Sequence, residues 1–225
     1  HHEPVVVTRI VDKDGKVVST DKYTPLSFYN KLWGYDLNND YVLVMNDPSR
    51  EYYKVYQIEY DRHTYDGHDW VYLNLPNEEV KPMLIASLKD STAMYISCDV
   101  NKFLNRQKGV MDLKNFDYES LLGVTMTMDK KERIITHASA SSHAMTLIAV
   151  DIDKATSKPT KWMVENSWGK ENGFKGNYIM TDEWFNEYMF RFVLNKQYVP
   201  ESVAKLLKQK PIKLPAWDPM FAPKE

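Results

Sequence analysis

Two side chains in this sequence, His143 and Asn166, have the types and the setting for acid–base chemistry. His143 opens an apolar run, His143-Ala144-Met145-Thr146-Leu147-Ile148-Ala149-Val150, and Asn166 closes another, Lys161-Trp162-Met163-Val164-Glu165-Asn166. The connection from Asp151 to Thr160 holds Asp153, Lys154, Ser157 and Pro159, a turn composition that ends both runs and predicts an antiparallel hairpin. A turn centred on Lys154-Ala155 sets Val150 opposite Pro159, Leu147 opposite Trp162, and His143 opposite Asn166. Directly opposed residues share a sheet face with Cβ atoms about 5 Å apart, close enough for an imidazole–amide hydrogen bond. One ring nitrogen is then held by Asn166 and the other left for proton transfer. A carboxamide in that place fixes tautomer and orientation, as the third member of a Cys-His-Asn triad must. Trp168, two residues on, is placed to shield the bond from water and so strengthen it. A histidine and an asparagine at sheet edges are also ordinary surface or core residues, so spacing alone leaves both readings open.

The other reactive residues make weaker cases. The single cysteine, Cys98, lies in Thr92 to Cys98, whose period-2 set Thr92, Met94, Ile96 and Cys98 shares one strand face, so it is expected in the core. A nucleophilic thiol wants an electropositive setting, and neighbouring Asp99 supplies the reverse. Ser139, Ser141 and Ser142 crowd His143, but adjacent strand residues point to opposite faces, so Ser142 does not reach its neighbour's ring. His63, Asp66, His68 and Asp69 straddle an Asp66-Gly67 turn without the helical spacing of a metallopeptidase motif, and are expected at a solvated hairpin tip; no metal and no cofactor is expected. Lys205, Lys208 and Lys210 read as an exposed face.

Around these residues the chain alternates short strands and helices. Val5 to Val11 and Val17-Val18 flank an Asp12-Lys13-Asp14-Gly15 turn. Thr24-Pro25 caps a helix with Leu26, Tyr29 and Trp33 on one stripe. Asp36 to Asp40 is expected as loop. Strands follow at Tyr41 to Met45, Tyr52 to Tyr60 and Trp70 to Leu73. Asn77 is expected to cap a helix from Glu78 to about Leu88. Later strands are Met145 to Val150, Trp162 to Asn166, Tyr178 to Thr181 and the alternating Phe190, Phe192 and Leu194, with a helix turn started by Thr181-Asp182-Glu183. Pro200 opens a last helix through Leu207. Pro211, Pro215, Pro219 and Pro223 then predict an extended arm rather than a packed element, with Trp217 kept out of water.

Composition narrows the classes. At 225 residues and 43% apolar, with Trp 6, Tyr 15 and Phe 8, the chain has the bulk for one core, which excludes disordered, collagen-like and coiled-coil readings. Lys+Arg 29 against Asp+Glu 31 leaves no basic field to hold nucleic acid. One cysteine excludes an intrachain disulfide framework and fits a reducing, cytoplasmic setting. No apolar run reaches the roughly 20 residues that span a bilayer. His1-His2 looks like a purification-tag remnant, so the natural protein is expected to begin upstream.

Ser142-His143-Ala144-Met145-Thr146 and Trp162-Met163-Val164-Glu165-Asn166-Ser167-Trp168-Gly169 resemble the histidine and asparagine segments of papain-like cysteine peptidases. Within that clan the likeness is to the bleomycin hydrolase and aminopeptidase C family. It extends through Thr24-Pro25-Leu26-Ser27-Phe28-Tyr29, Val44-Met45-Asn46-Asp47-Pro48, Ser97-Cys98-Asp99-Val100 and Thr181-Asp182-Glu183-Trp184-Phe185, to Leu214-Pro215-Ala216-Trp217-Asp218-Pro219-Met220. The resemblance thus runs from about Thr24 to the end of the chain.

It implies an α+β papain-like fold. Residues 1–210 would form the C-terminal antiparallel barrel-like half with added helices, and residues 211–225 an extended C-terminal arm. It also implies a cysteine aminopeptidase working by thiol acyl transfer on peptides, with His143 and Asn166 catalytic and Trp168 supporting. Trp217, Asp218, Pro219, Met220 and Glu225 would line the substrate cleft. The family's nucleophile and oxyanion glutamine precede its histidine, and nothing here matches them, so this chain is expected to need an upstream Cys-bearing half and to be inactive alone. Phe221-Ala222-Pro223-Lys224-Glu225 departs from the family's small residues after Pro-Met, which leaves the place of the terminal carboxylate open. A homo-oligomer, hexameric by analogy, and self-association of the isolated chain through its uncovered cleft side are further expectations. The competing class is a non-catalytic pseudo-peptidase or scaffold. A natural reading frame with an upstream glutamine and a Cys-Trp pair favours the enzyme, and one starting near residue 1 favours the scaffold.

Overall fold

The computed structural model describes residues 6–32, 34 and 36–221, and these fall into two compact units that divide after Asp40. In the first unit β1 (Val6–Val11) and β2 (Val17–Tyr23) form an antiparallel hairpin. Its turn closes because Asp12 Oδ1 accepts the N–H groups of Asp14 and Lys16, each at 3.0 Å, while Gly15 takes the positive φ of 80° that the turn requires. Helix α1 (Pro25–Leu32) starts with a reciprocal cap, in which Thr24 Oγ1 accepts Ser27 N–H at 3.1 Å and Ser27 Oγ accepts Thr24 N–H at 2.9 Å. Trp33, expected on the helix stripe, lies outside the described residues. The expected loop at Asp36 to Asp40 instead contains a one-turn helix, α2 (Leu37–Asp40), because Asp36 Oδ1 accepts the N–H groups of Asn38 and Asn39.

The second unit is built on one mixed sheet. In chain order it holds β3 (Tyr41–Met45), β4 (Lys54–Ile58), β5 (Trp70–Asn74), α3 (Asn77–Lys89), β6 (Met94–Cys98), β7 (Leu104–Asn105), β8 (Val110–Met111), α4 (Tyr118–Leu122) and α5 (Lys130–Ile135). It continues with β9 (His143–Ile152), β10 (Pro159–Glu165), β11 (Asn177–Thr181), α6 (Asp182–Tyr188), β12 (Met189–Asn195), α7 (Glu201–Ala204) and β13 (Ile212–Leu214). The strands lie side by side as β13-β4-β5-β3-β12-β6-β9-β10-β11-β8-β7. Most pairs are antiparallel; β3 with β5, β4 with β13 and β8 with β11 are parallel.

Helices α3 and α6 cover one face and close the main core. Phe185 of α6 stacks on Trp162 of β10 at 4.8 Å and on Phe192 of β12 at 5.7 Å, and all three rings are buried. Asp182 ties this packing together, accepting Trp162 Nε1–H at 2.9 Å and pairing with Lys81 of α3 at 2.7 Å. Thr181 caps α6 as expected, its hydroxyl accepting Trp184 N–H. Asn77 does not cap α3: Pro76 holds that position, and the Asn77 amide donates instead to Asn186 Oδ1.

The β9–β10 hairpin forms, with a register other than the expected one. Leu147 faces Val164 rather than Trp162, and Val150 faces Trp162 rather than Pro159. The turn, Asp153 to Lys158, is shorter than the expected Asp151 to Thr160 connection and centred one residue later than Lys154-Ala155. Asp153 N–H donates to Lys158 O, Asp153 Oδ1 gathers the N–H groups of Ala155 and Thr156, and Ser157 adopts a left-handed φ of 58°. A bulge follows, for Met163 faces Ala149 while the next residue, Val164, faces Leu147.

The C-terminal segment is more ordered than its prolines suggest. Ile212–Leu214 adds to the sheet edge beside β4, with Pro211 and Pro215 confined to the ends of that short strand, where a missing N–H breaks no ladder. Trp217, expected to be kept out of water, is 77% exposed, whereas Leu214, Asp218 and Met220 on either side of it are buried.

Candidate active site

His143 is the first residue of β9 and pairs across the sheet with Cys98, the last residue of β6. The chain is brought to this point by a set of serine contacts. Ser142 N–H donates to Cys98 O at 3.0 Å, Ser139 Oγ donates to Asp99 Oδ2 at 2.8 Å, and the Ser141 and Ser97 hydroxyls meet at 2.6 Å. The Ser142 hydroxyl turns to Cys98 O and Asp99 Oδ1, both at 3.3 Å. These serines hold the approach to His143 and are already engaged, in keeping with their reading as structural polar groups.

Asn166 follows the last residue of β10, with its N–H donating to Gly176 O at 3.0 Å. Its side chain meets the ring of His143, Nε2 to Oδ1, at 2.8 Å. The same Oδ1 accepts Ser167 N–H at 2.8 Å, and Nδ2 is buried with no hydrogen-bond partner. Because a backbone N–H already marks that end of the amide as oxygen, the ring must be the donor, with its proton on Nε2. Nδ1 then keeps its lone pair for a proton. Sequence reasoning expected the pair but missed the Ser167 amide as its orienter; a backbone group carries no side-chain signal.

Trp168 covers this pair. Its ring centroid lies 4.8 Å from that of His143 with the planes 38° apart, and Tyr178 of β11 packs edge-on against the indole at 5.8 Å. The loop beyond is pinned by Asn172 Nδ2–H, donating to Trp168 O at 2.6 Å. Beside Asn166 opens a cleft of about 420 Å³, lined by Tyr95, Ala144, Met145, Thr146, Glu165, Asn166 and Ser167.

Cys98 is fully buried, and burial, with a smaller contribution from the Asp99 carboxylate, pushes its thiol far above the ordinary range. A thiol held neutral and out of solvent cannot attack a carbonyl. Of the expected cleft-lining arm residues, Asp218 and Met220 are buried, Pro219 is half-buried and Trp217 is exposed. Asp218 forms an ion pair with Arg50 and accepts Met220 N–H at 3.1 Å. Glu225 lies outside the described residues. Of the four expected at a hairpin tip, His63, Asp66 and His68 are exposed, and Asp69 accepts a hydrogen bond from Gln57 Nε2 at 3.0 Å. Among the described residues no three histidine, cysteine or carboxylate side chains gather as a metal site.

Comparison with known proteins places this geometry. A profile of the Peptidase C1-like family matches residues 7–221. Human bleomycin hydrolase is 41% identical over 216 residues, covering 94% of this chain and 48% of that protein. Aminopeptidase C of Lactobacillus delbrueckii subsp. lactis is 38% identical over 216 residues, covering 94% of this chain and 47% of that protein. The crystal structure of PepW from Lactobacillus rhamnosis HN001 superposes with a TM-score of 0.90 at 32% identity, covering 97% of this chain and 49% of that one. The chain thus spans about half the length of the relatives it matches. Matched along nearly its whole length in both sequence and fold, it belongs to the Peptidase C1-like family and has the α+β fold of the papain-like peptidases.

Proposed function

We propose that this chain supplies the base and its orienter to a cysteine aminopeptidase whose nucleophile lies on an upstream segment of the same protein. The observation that carries the reading is the 2.8 Å contact from His143 Nε2 to Asn166 Oδ1, under Trp168, with the donor direction set by Ser167 N–H. Two further facts support it. The relatives are peptidases of about twice this length, and the one cysteine here is sealed in the core.

In the proposed reaction Nδ1 of His143 takes the proton of the upstream thiol, and the imidazolium is steadied by donating Nε2–H to Asn166. Thiolate attack on the carbonyl carbon of the substrate's N-terminal residue gives a tetrahedral intermediate. Its collapse expels the amine, protonated by His143, and leaves a thioester. Water, deprotonated by the same nitrogen, then hydrolyses the thioester and regenerates the thiol. The chain alone lacks the attacking group and is expected to be inactive.

The test is hydrolysis of an aminoacyl fluorogenic amide by this chain alone, by the upstream segment alone and by the two refolded together. Turnover by the mixture only, abolished by His143→Ala, supports the proposal. Turnover by this chain alone, stopped by a thiol alkylator, overturns it.

A further inference from the structure

Trp168 is gripped from a second side by Arg106. The Arg106 guanidinium lies over the indole, 4.6 Å from the ring centroid, and donates to Asn101 Oδ1 at 3.2 Å. Arg106 belongs to the tight turn between β7 and β8, which Gly109 closes by donating its N–H to Asn105 O at 2.9 Å. That turn is seated against the loop that follows Trp168 by a glycine-to-glycine approach. A Cβ on Gly109 would lie 2.6 Å from Gly173 Cα, and Gly109 O accepts Ile179 N–H at 2.8 Å. Glycine contact and backbone hydrogen bond together fix where the turn stands, and hence where its cation meets the indole.

We propose that Arg106 is a positioning residue, whose guanidinium stacked on Trp168 holds the indole closed over the His143–Asn166 hydrogen bond and keeps water from it. The argument is one of occupancy. Any opening of the Trp168 indole would let solvent compete for Nε2–H. A cation over the ring face favours the closed state by an amount that makes opening about three- to fivefold rarer at an exposed site. Sequence gave no sign of this, since Arg106 lies sixty-two positions before Trp168 and in a different hairpin. The importance of the shield for turnover rests on the function proposed above; the shielding does not.

The two are separated by measuring them separately. In this chain the hydrogen-bonded Nε2–H of His143 is a downfield proton resonance whose exchange with water can be timed. Arg106→Gln is expected to speed that exchange about three- to fivefold, and Arg106→Lys to restore most of the protection, because an ammonium keeps the cation–ring attraction. Arg106 is exposed on a turn, so an otherwise unchanged amide spectrum verifies that the variant is folded. Unchanged exchange in Arg106→Gln, or Lys performing no better than Gln, overturns the proposal. In the refolded two-segment mixture, Arg106→Gln should lower kcat by a similar factor and leave KM alone. Faster exchange with kcat unmoved supports the shield and counts against the catalytic reading of the pair.

Discussion

Ala149 and Leu147 lie two apart on β9 yet face consecutive residues of β10, Met163 and Val164, so Ile148 is the extra residue of a bulge. Parity makes this decisive for the site. Carried on without the bulge, the pairing of Val150 with Trp162 would set Thr146 against Asn166 and turn His143 to the opposite face. With it, Met145 is the position facing Asn166, and His143, two residues further along the same face, reaches the amide diagonally. A one-residue irregularity in an apolar strand thereby brings the two polar groups together.

Removal of the orienter should separate orientation from binding. In Asn166→Ala the imidazole keeps its place in β9 but loses the acceptor that holds Nε2–H and the correct tautomer. On the function proposed above, kcat of the refolded two-segment mixture is expected to fall about 10- to 100-fold with KM little changed, since the interaction would serve the reacting ring rather than substrate. Steady-state kinetics on the aminoacyl amide give the answer. A loss confined to KM would mean that Asn166 contacts substrate instead.

Cys98 should behave as a core residue. Its thiol is fully buried, and burial holds it neutral far above the ordinary thiol range. Iodoacetamide at pH 8 is expected to leave it unmodified in the native chain for hours and to label it within minutes in urea, read by intact mass. Cys98→Ala should cost about 1 kcal/mol, the loss of a small buried group, and leave peptidase activity of the mixture unchanged. Rapid native labelling would contradict both the burial and the exclusion of this thiol from the chemistry.

Residue pattern reveals the site's face but not its register. Apolar runs ended by turn residues foretold the β9 and β10 strands, and period-2 alternation put Cys98 in the core, because one buried sheet face forces that alternation on a strand. The expected direct opposition of His143 and Asn166 differs from the observed diagonal by two residues, and an even shift preserves the face. What could not be read was the turn, whose width depends on Asp153 collecting two backbone N–H groups and on Ser157 accepting a positive φ, and the bulge, since Ile148 looks like any strand residue. Trp217 was misjudged for a related reason. Hydrophobicity argues for burying it, but Asp218 and Met220 are anchored beside it and the Pro215–Asp218 turn leaves the indole outside.

That anchor is itself testable. Asp218 is 1% exposed and meets the guanidinium of Arg50, whose Nε also lies 3.8 Å from Asp47 Oδ2. Arg50→Gln leaves a buried carboxylate without its cation, which is expected to cost about 3 kcal/mol. The loss should fall first on the C-terminal segment, because the carboxylate left unpaired is Asp218 itself, buried between the β4 pairing of Leu214 and the Arg191 contact to Met220 O. Limited trypsin digestion should therefore cut after Lys213 well before the rest of the chain in Arg50→Gln, and not in the parent. Uniform digestion of both would show that the ion pair does not hold the segment.

Lys130 gives a pH dependence with a definite sign. Its ammonium is buried at the start of α5, where Nζ donates to Asn46 Oδ1 and Met189 O at 2.6 Å and to Asn186 O at 3.0 Å, over the ring of Phe190. Burial pushes its pKa down to about 7, only partly opposed by Glu187 and Asp47. An unfolded lysine titrates near 10.4. Between these values the unfolded chain holds a proton that the folded chain has released, so the lysine's contribution to stability rises with pH from about 7 to about 10 and is flat below 7, where both forms are charged. Lys130→Met removes the titration and leaves Asn46 Oδ1 without its donor. Urea unfolding of parent and variant at pH 6, 7, 8 and 9 should show the parent gaining on the variant at each step above pH 7. Parallel curves across that range would mean that the three acceptors keep Lys130 charged in the folded state at all these pH values.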